Sequence, residues 1–500
     1  MRTLIPLSFF VFACDGEGKD NPQSSSTDPT ADWTNEADAD TDADTDADTD
    51  ADTDADTDTD TDADADSYSF DSAFEPGTSS VSYSGQIFRQ VLINDLKTHL
   101  GDMTDRLNGG WYPTAGEVTG ELNFFFDFDS DTSGSIDHAV STDPAPDQTT
   151  YDDISSGKNL VGKLAGNDTA TDHKDWSSEF VGWDGDGVTS PQSLVEHWFS
   201  VVDDQAVDWA GGTYPLDPDG EPVPSVYVTA EGQDLKQLVE KFLRGAIGFS
   251  QGADDYLDDD TDGKGLLADH TGSDDGDPYT ALEHAWDEGF GYFGASRSYD
   301  MMSDDDIADN GVYDADGSGG INLLTEACFG HSINAAKRDR GSDSSAATDF
   351  TAQAWEGFYN GRTLLSSTAG NELSSEEFTE LQGHRDMAVM AWENAIVSTV
   401  VHYINDTLGD MDDFGTDKYD FGTHAKHWSE MKGFALSMQF NPRSPLSDAD
   451  FETLHELLGS APVLENDTPA NQTAYEEALI EARTMLGKAY GYDDTNVENW

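Results

Sequence analysis

Apolar side chains at Ile87, Val91, Leu92, Leu96, Leu100 and Leu107 form one stripe of a 3.6-residue helix over residues 85–107. The same periodicity predicts helices over residues 193–202, 233–257, 280–293, 323–338, 348–365, 375–408, 423–439, 447–458 and 471–490. Ser190 before Pro191, and Ser447, mark helix starts: a serine hydroxyl caps free N–H groups, and proline suits the first turn. Period-two alternation is scarce, and residues 226–229 (Val-Tyr-Val-Thr) give the best short strand. The pattern predicts an all-α domain over residues 68–500 with long Asp/Gly-rich loops.

The first 67 residues read differently. Arg2 and the apolar run over residues 4–13 have the form of a signal peptide, residues 1–13. Val11-Phe12-Ala13-Cys14 is similar to a bacterial lipobox, which predicts acylation of Cys14 and attachment to a membrane of the bacterial cell envelope. The membrane side, outer, periplasmic or surface-facing, is left open. Residues 14–67 predict a disordered acidic tether: Asp stands at every even position from Asp38 to Asp66, and self-repulsion extends such a chain. Stretched out, it reaches at most roughly 175–190 Å.

Charge narrows the function classes. Lys and Arg number 24 against 102 Asp and Glu, a net charge of −78. Such a surface repels phosphate backbones, so no nucleic-acid partner is expected. Cations are the favoured ligands. Of the two cysteines, Cys328 is left without a partner once Cys14 is acylated, and reads as a small buried hydrophobe.

Two segments could carry a transition metal. In YTALEHAWDEGFGYFG, Glu283 with Asp287 and His284 with Glu288 form adjacent i,i+4 rows, with no Lys or Arg nearby in sequence. If buried, these groups need a compensating cation or a hydrogen-bond network; if exposed, they are a solvated face. In GTHAKHWSEMKGF, His424, His427 and Glu430 are spaced to share an ion on one helix face. His455-Glu456 begins a zincin motif, but Gly459 replaces its second histidine.

Three loops have the spacing of calcium ligands. Asp129, Asp131, Ser133, Ser135 and Asp137 surround Gly134 and Ile136, with Val140 in place of the final acid. Asp314, Asp316, Ser318, Gly320 and Asn322 surround Gly319 and Ile321, with Glu326 one residue late, on the helix predicted to follow. Asp258, Asp260, Asp262 and Asp269 match the acidic positions of a third loop.

A weak repeat relates Trp286, Glu288, Gly291 and Tyr292 to Trp428, Glu430, Gly433 and Phe434, 142 residues later, and suggests two repeated halves. At VSYSGQ (81–86), SPQSLVEHWF (190–199), LEHAWDEGFGYFG (282–294), DADGSGGINLLTEACFGHSINAAKRD (314–339) and HWSEMKGFALSMQFNP (427–442) the chain resembles a bacterial lipoprotein family, the domain of unknown function numbered 4856, allied to the imelysins. The stretches LSDADFETLHELLG and YGYDDTNVENW fit it too. The resemblance implies an imelysin-like double helical bundle attached to the envelope and linked to iron acquisition, with an envelope partner in metal uptake. The imelysin G-x-H-x-x-E signature is approximated by Gly422, His424 and His427, with His in place of Glu. The expectation is a lipid-anchored binder of iron or another transition metal, with structural calcium loops. The alternatives are a metal-dependent peptidase and a purely structural surface protein.

Overall fold

A computed structural model describes residues 67–168 and 172–500. The predicted signal peptide, Cys14 and almost all of the predicted acidic tether lie outside the described residues. Among those residues there are fifteen α-helices and no strand, only isolated β-bridges. They are α1 (Ser84–Asn108), α2 (Glu117–Phe126), α3 (Ser130–Ser133), α4 (Tyr151–Ile154), α5 (Pro191–Ala210), α6 (Leu235–Leu243), α7 (Ala281–Phe293) and α8 (Asp304–Asp309). The remainder are α9 (His331–Arg340), α10 (Phe350–Thr368), α11 (Ser375–Asp412), α12 (Phe421–Ser437), α13 (Asp448–Leu458), α14 (Pro469–Tyr490) and α15 (Asp494–Asn499). None is long and apolar enough to cross a membrane.

The long helix α11 is the spine, packed by α9, α10, α12 and α14. A second group forms around α1, which meets α2, α6 and α7. The two are joined through α6 against α12 and α7 against α10, so one apolar core runs through the whole fold. Trp286 and Trp428, the paired tryptophans of the repeat, are both fully buried. Each donates its indole N–H to a carbonyl of a later segment, Phe358 and Leu458 respectively.

Most helix starts follow local chemistry. Ser190 and Thr280 close capping boxes on α5 and α7, and Ser447 caps α13. The stretch over 233–257 continues α6 through two π-helical segments, Arg244–Phe249 and Gln251–Tyr256. Two expectations fail. Residues 226–229 form a turn with one bridge at Val228, because Val228 pairs with Asp234 across a tight reversal. Residues 323–330 are not helical: Glu326 turns back to the preceding loop, Gly330 takes φ +58°, and α9 starts only at His331. Cys328 is buried, and burial pushes its thiol up to about 11.

Candidate metal centres

The loop before α9 is shaped by glycines. Gly317 and Gly319 take φ +68° and +81°, a left-handed conformation that glycine adopts without strain. These turns fold Asp314 and Asp316 inward over Glu326. Asp314 accepts the N–H groups of Ser318 and Gly319, each at 3.0 Å, and Asp316 accepts that of Ser318 at 2.8 Å. These bonds hold the Asp316 carboxyl below the usual carboxylate range. Glu326 is only 4% exposed and accepts N–H groups of Ala315, Asp316 and Asn322. Among the described residues, these three carboxylates are the one set of three acidic, His or Cys side chains whose donor atoms all lie within 4.8 Å of one another. A set of hard oxygen donors suits calcium.

Ile321 ends the turn fully buried, and its N–H and C=O pair with Ala145 and Asp147 at 3.0 and 2.8 Å. The same short segment also holds the first loop. Thr149 accepts from the His138 N–H, and Tyr151 donates to Ile136. Gln148 bonds the Asn322 side chain and the Leu323 N–H, while its carbonyl meets His138. Residues 145–151 therefore bridge two loops far apart in sequence.

In the first loop the carboxylates are not gathered. Asp129 caps α3 through the Asp131 N–H and the Thr132 hydroxyl, Ser133 is in that short helix, and Asp137 bridges Thr150. In the third loop Asp258 pairs with Arg443, Asp260 binds its neighbour Thr261, Asp262 is exposed and Asp269 binds Thr271. Burial raises the Asp258 carboxyl while Arg443 pulls it down.

On α7, Arg362 supplies the cation that the local sequence lacks. Its guanidinium, fully buried on α10, lies 2.8 Å from Glu283 and 2.8 Å from Asp287. It also donates to the Ser80 hydroxyl and carbonyl. Asp287 accepts further bonds from the Tyr68 hydroxyl and the Ser82 N–H. Burial still lifts its carboxyl above the usual range, with Arg362 pulling against it. Glu288 accepts from Gln86 at 2.8 Å and faces His284 at 3.4 Å.

On α12, Glu430 is committed to Lys241 of α6 at 3.2 Å. His424 and His427 instead turn to Asp410 at the end of α11, which sequence spacing did not single out. One Asp410 oxygen lies 2.9 Å from Nδ1 of His427 and 3.6 Å from Nδ1 of His424. Burial pulls the His427 imidazole down, but Asp410 outweighs it and holds the pKa above the usual value. His424 has no exposed side-chain surface, and neither ring nitrogen has a hydrogen-bond partner. Its ring sits between Phe414 and Tyr419. The seven residues of the two candidate transition-metal segments are thus dispersed: Glu283 and Asp287 pair with Arg362, His284 with Glu288, Glu430 with Lys241, and His424 and His427 with Asp410. The sequence signal for the added member is slight: Asp410 sits in an acidic helix end, among Asp406, Asp412 and Asp413.

Residues 126–307 match the family model of the Domain of unknown function (DUF4856). The match covers 182 of the 500 residues. No curated protein and no solved structure matches the chain. The DUF4856 span contains the first calcium-like loop, the bridging segment 145–151 and all of α5 to α7, and ends before Asp314.

Proposed function

We propose that the protein is a cation-binding protein of the bacterial cell envelope, anchored through acylated Cys14, with a calcium ion held by Asp314, Asp316 and Glu326. The observation carrying this reading is the convergence of three carboxylates around left-handed glycine turns, with one of them buried. Three acids so close repel one another, and a divalent cation removes that cost. Calcium at a hundredfold excess over its Kd would add about 2.7 kcal/mol of stability. The test is thermal unfolding and calorimetric titration of the full chain, treated with chelator and then with calcium. Chelation should lower Tm, calcium should restore it, and Glu326→Gln should abolish the response. Equal melting curves with no heat of binding would overturn the proposal.

A second metal reading rests on His424, a fully buried imidazole with two free nitrogens beside Asp410 and His427. Imidazole and carboxylate donors suit iron or zinc. This site would carry the link to metal uptake that the imelysin resemblance implies. Elemental analysis of the purified chain should find a transition metal that His424→Asn removes. Loss of nothing but calcium on chelation would rule this site out.

A further inference from the structure

A cavity of about 300 Å³ opens between residues 173–174 and the connection from α12 into α13. Ligand cavities run from about 300 to 1,000 Å³, so this one suits a single small molecule. Met438, Leu446 and Phe451, all buried, give it an apolar wall. His173 lines it with a ring held in place from behind. The buried carboxylate of Asp254, on the second π-helical segment, accepts the His173 peptide N–H at 3.1 Å and its Nδ1–H at 2.7 Å. With the hydrogen on Nδ1, Nε2 carries a lone pair and is the ring nitrogen left for the cavity. Lys174 and Asp448 line the same cavity and pair with each other at 2.5 Å. The Asp448 side chain is 79% exposed, and an ion pair so open to water contributes only about 0–1 kcal/mol. Its two ends exchange partners at little cost. None of these groups belongs to the Asp314 loop or to the His424 cluster.

We propose that this cavity binds a free α-amino acid with an apolar side chain, its carboxylate on Lys174, its ammonium on Asp448 and Nε2 of His173, and its side chain against Met438, Leu446 and Phe451. The pairing of charges decides the ligand class. A ligand of one sign takes one end of the Lys174–Asp448 pair and leaves the other without a partner. A ligand carrying both signs close together inserts between them, and each ion keeps an opposite charge. The apolar wall adds the hydrophobic part of the affinity.

Equilibrium dialysis of the full chain against radiolabelled leucine, methionine and phenylalanine, with calcium present, tests this. Saturable binding of one molecule per chain is expected for at least one of the three. The N-acetyl and amide forms of that amino acid each lack one charge, and on the wild-type chain both should bind at least tenfold more weakly. Asp448→Asn, at an exposed position, should weaken binding of the free amino acid at least tenfold in a chain that melts as wild type does. Lys488→Gln, on the exposed face of α14, should leave it unchanged. No saturable binding of any of the three, equal binding of either charge-blocked form, or undiminished binding by Asp448→Asn would overturn the proposal.

Discussion

Replacing Arg362 by Met removes the guanidinium that pairs with two buried carboxylates, while roughly preserving side-chain volume. Glu283 and Asp287 are 2% and 0% exposed, and each lies 2.8 Å from the guanidinium. Stripping one partner from a buried ion pair costs about 3–5 kcal/mol. The two bonds to Ser80 add about 1 kcal/mol each. A loss of roughly 5–7 kcal/mol is therefore expected at pH 7. The loss should shrink with acidity. Without Arg362, burial of Asp287 is opposed only by the hydrogen bonds from Tyr68 and Ser82, and its folded pKa rises further above the unfolded value. A carboxyl raised in the folded state destabilises above that pKa and is relieved as pH falls through it. Denaturant titration of wild type and Arg362→Met at pH 7 and pH 5 measures both effects. Adding Asp287→Asn and Glu283→Gln to the variant should recover much of the loss. A penalty below about 1 kcal/mol, or one that neither acid nor the neutral replacements relieve, would refute this account, since breaking a buried pair costs more than that.

Lys432 is fully buried against His455, and burial pushes its ammonium down to about 7. The unfolded chain keeps that proton to about pH 10.4, so wild-type stability should rise from pH 7 to pH 10. Lys432→Met should be the more stable chain at pH 6 by a few kcal/mol and lose this slope; parallel unfolding curves from pH 6 to 10 would disprove it. At Gly361 a Cβ would overlap the Trp286 indole, so Gly361→Ala should cost about 1–3 kcal/mol in chemical denaturation. Cys14→Ser should leave a soluble chain or an uncleaved precursor after membrane fractionation; a mature-sized chain still in the membrane fraction would exclude acylation.

The helices were readable because their signals are local. Thr280 with Glu283, and Ser190 with Pro191, announce α7 and α5 within one turn. Helix α2 gives no clear periodic signal, because Phe124, Phe125 and Phe126 run consecutively and blur it. The candidate sites were only half legible for a different reason. Acidic spacing locates Asp314 and Asp316, but no local pattern says that Glu326 stays out of a helix. The charge balance on α7 depends on Arg362, 75 residues beyond Asp287, and His424 meets Asp410 across a helix junction. Ion pairing at that range is decided by packing, which a periodicity in one helix does not encode.

The segment spanning residues 145–151 has a thermodynamic consequence. It holds Ile321 on one side and residues 136–138 on the other. Fixing the Asp314 loop around an ion also fixes this segment, and with it half of the frame of the loop at Asp129. The ordering entropy of the shared segment is then spent once for two loops. If the Asp129 loop also takes calcium, its affinity should rise after the first ion is in place, and the titration should be cooperative. The coupling is reciprocal, so breaking the pairing at Gln148 should flatten the isotherm while leaving each set of carboxylates intact.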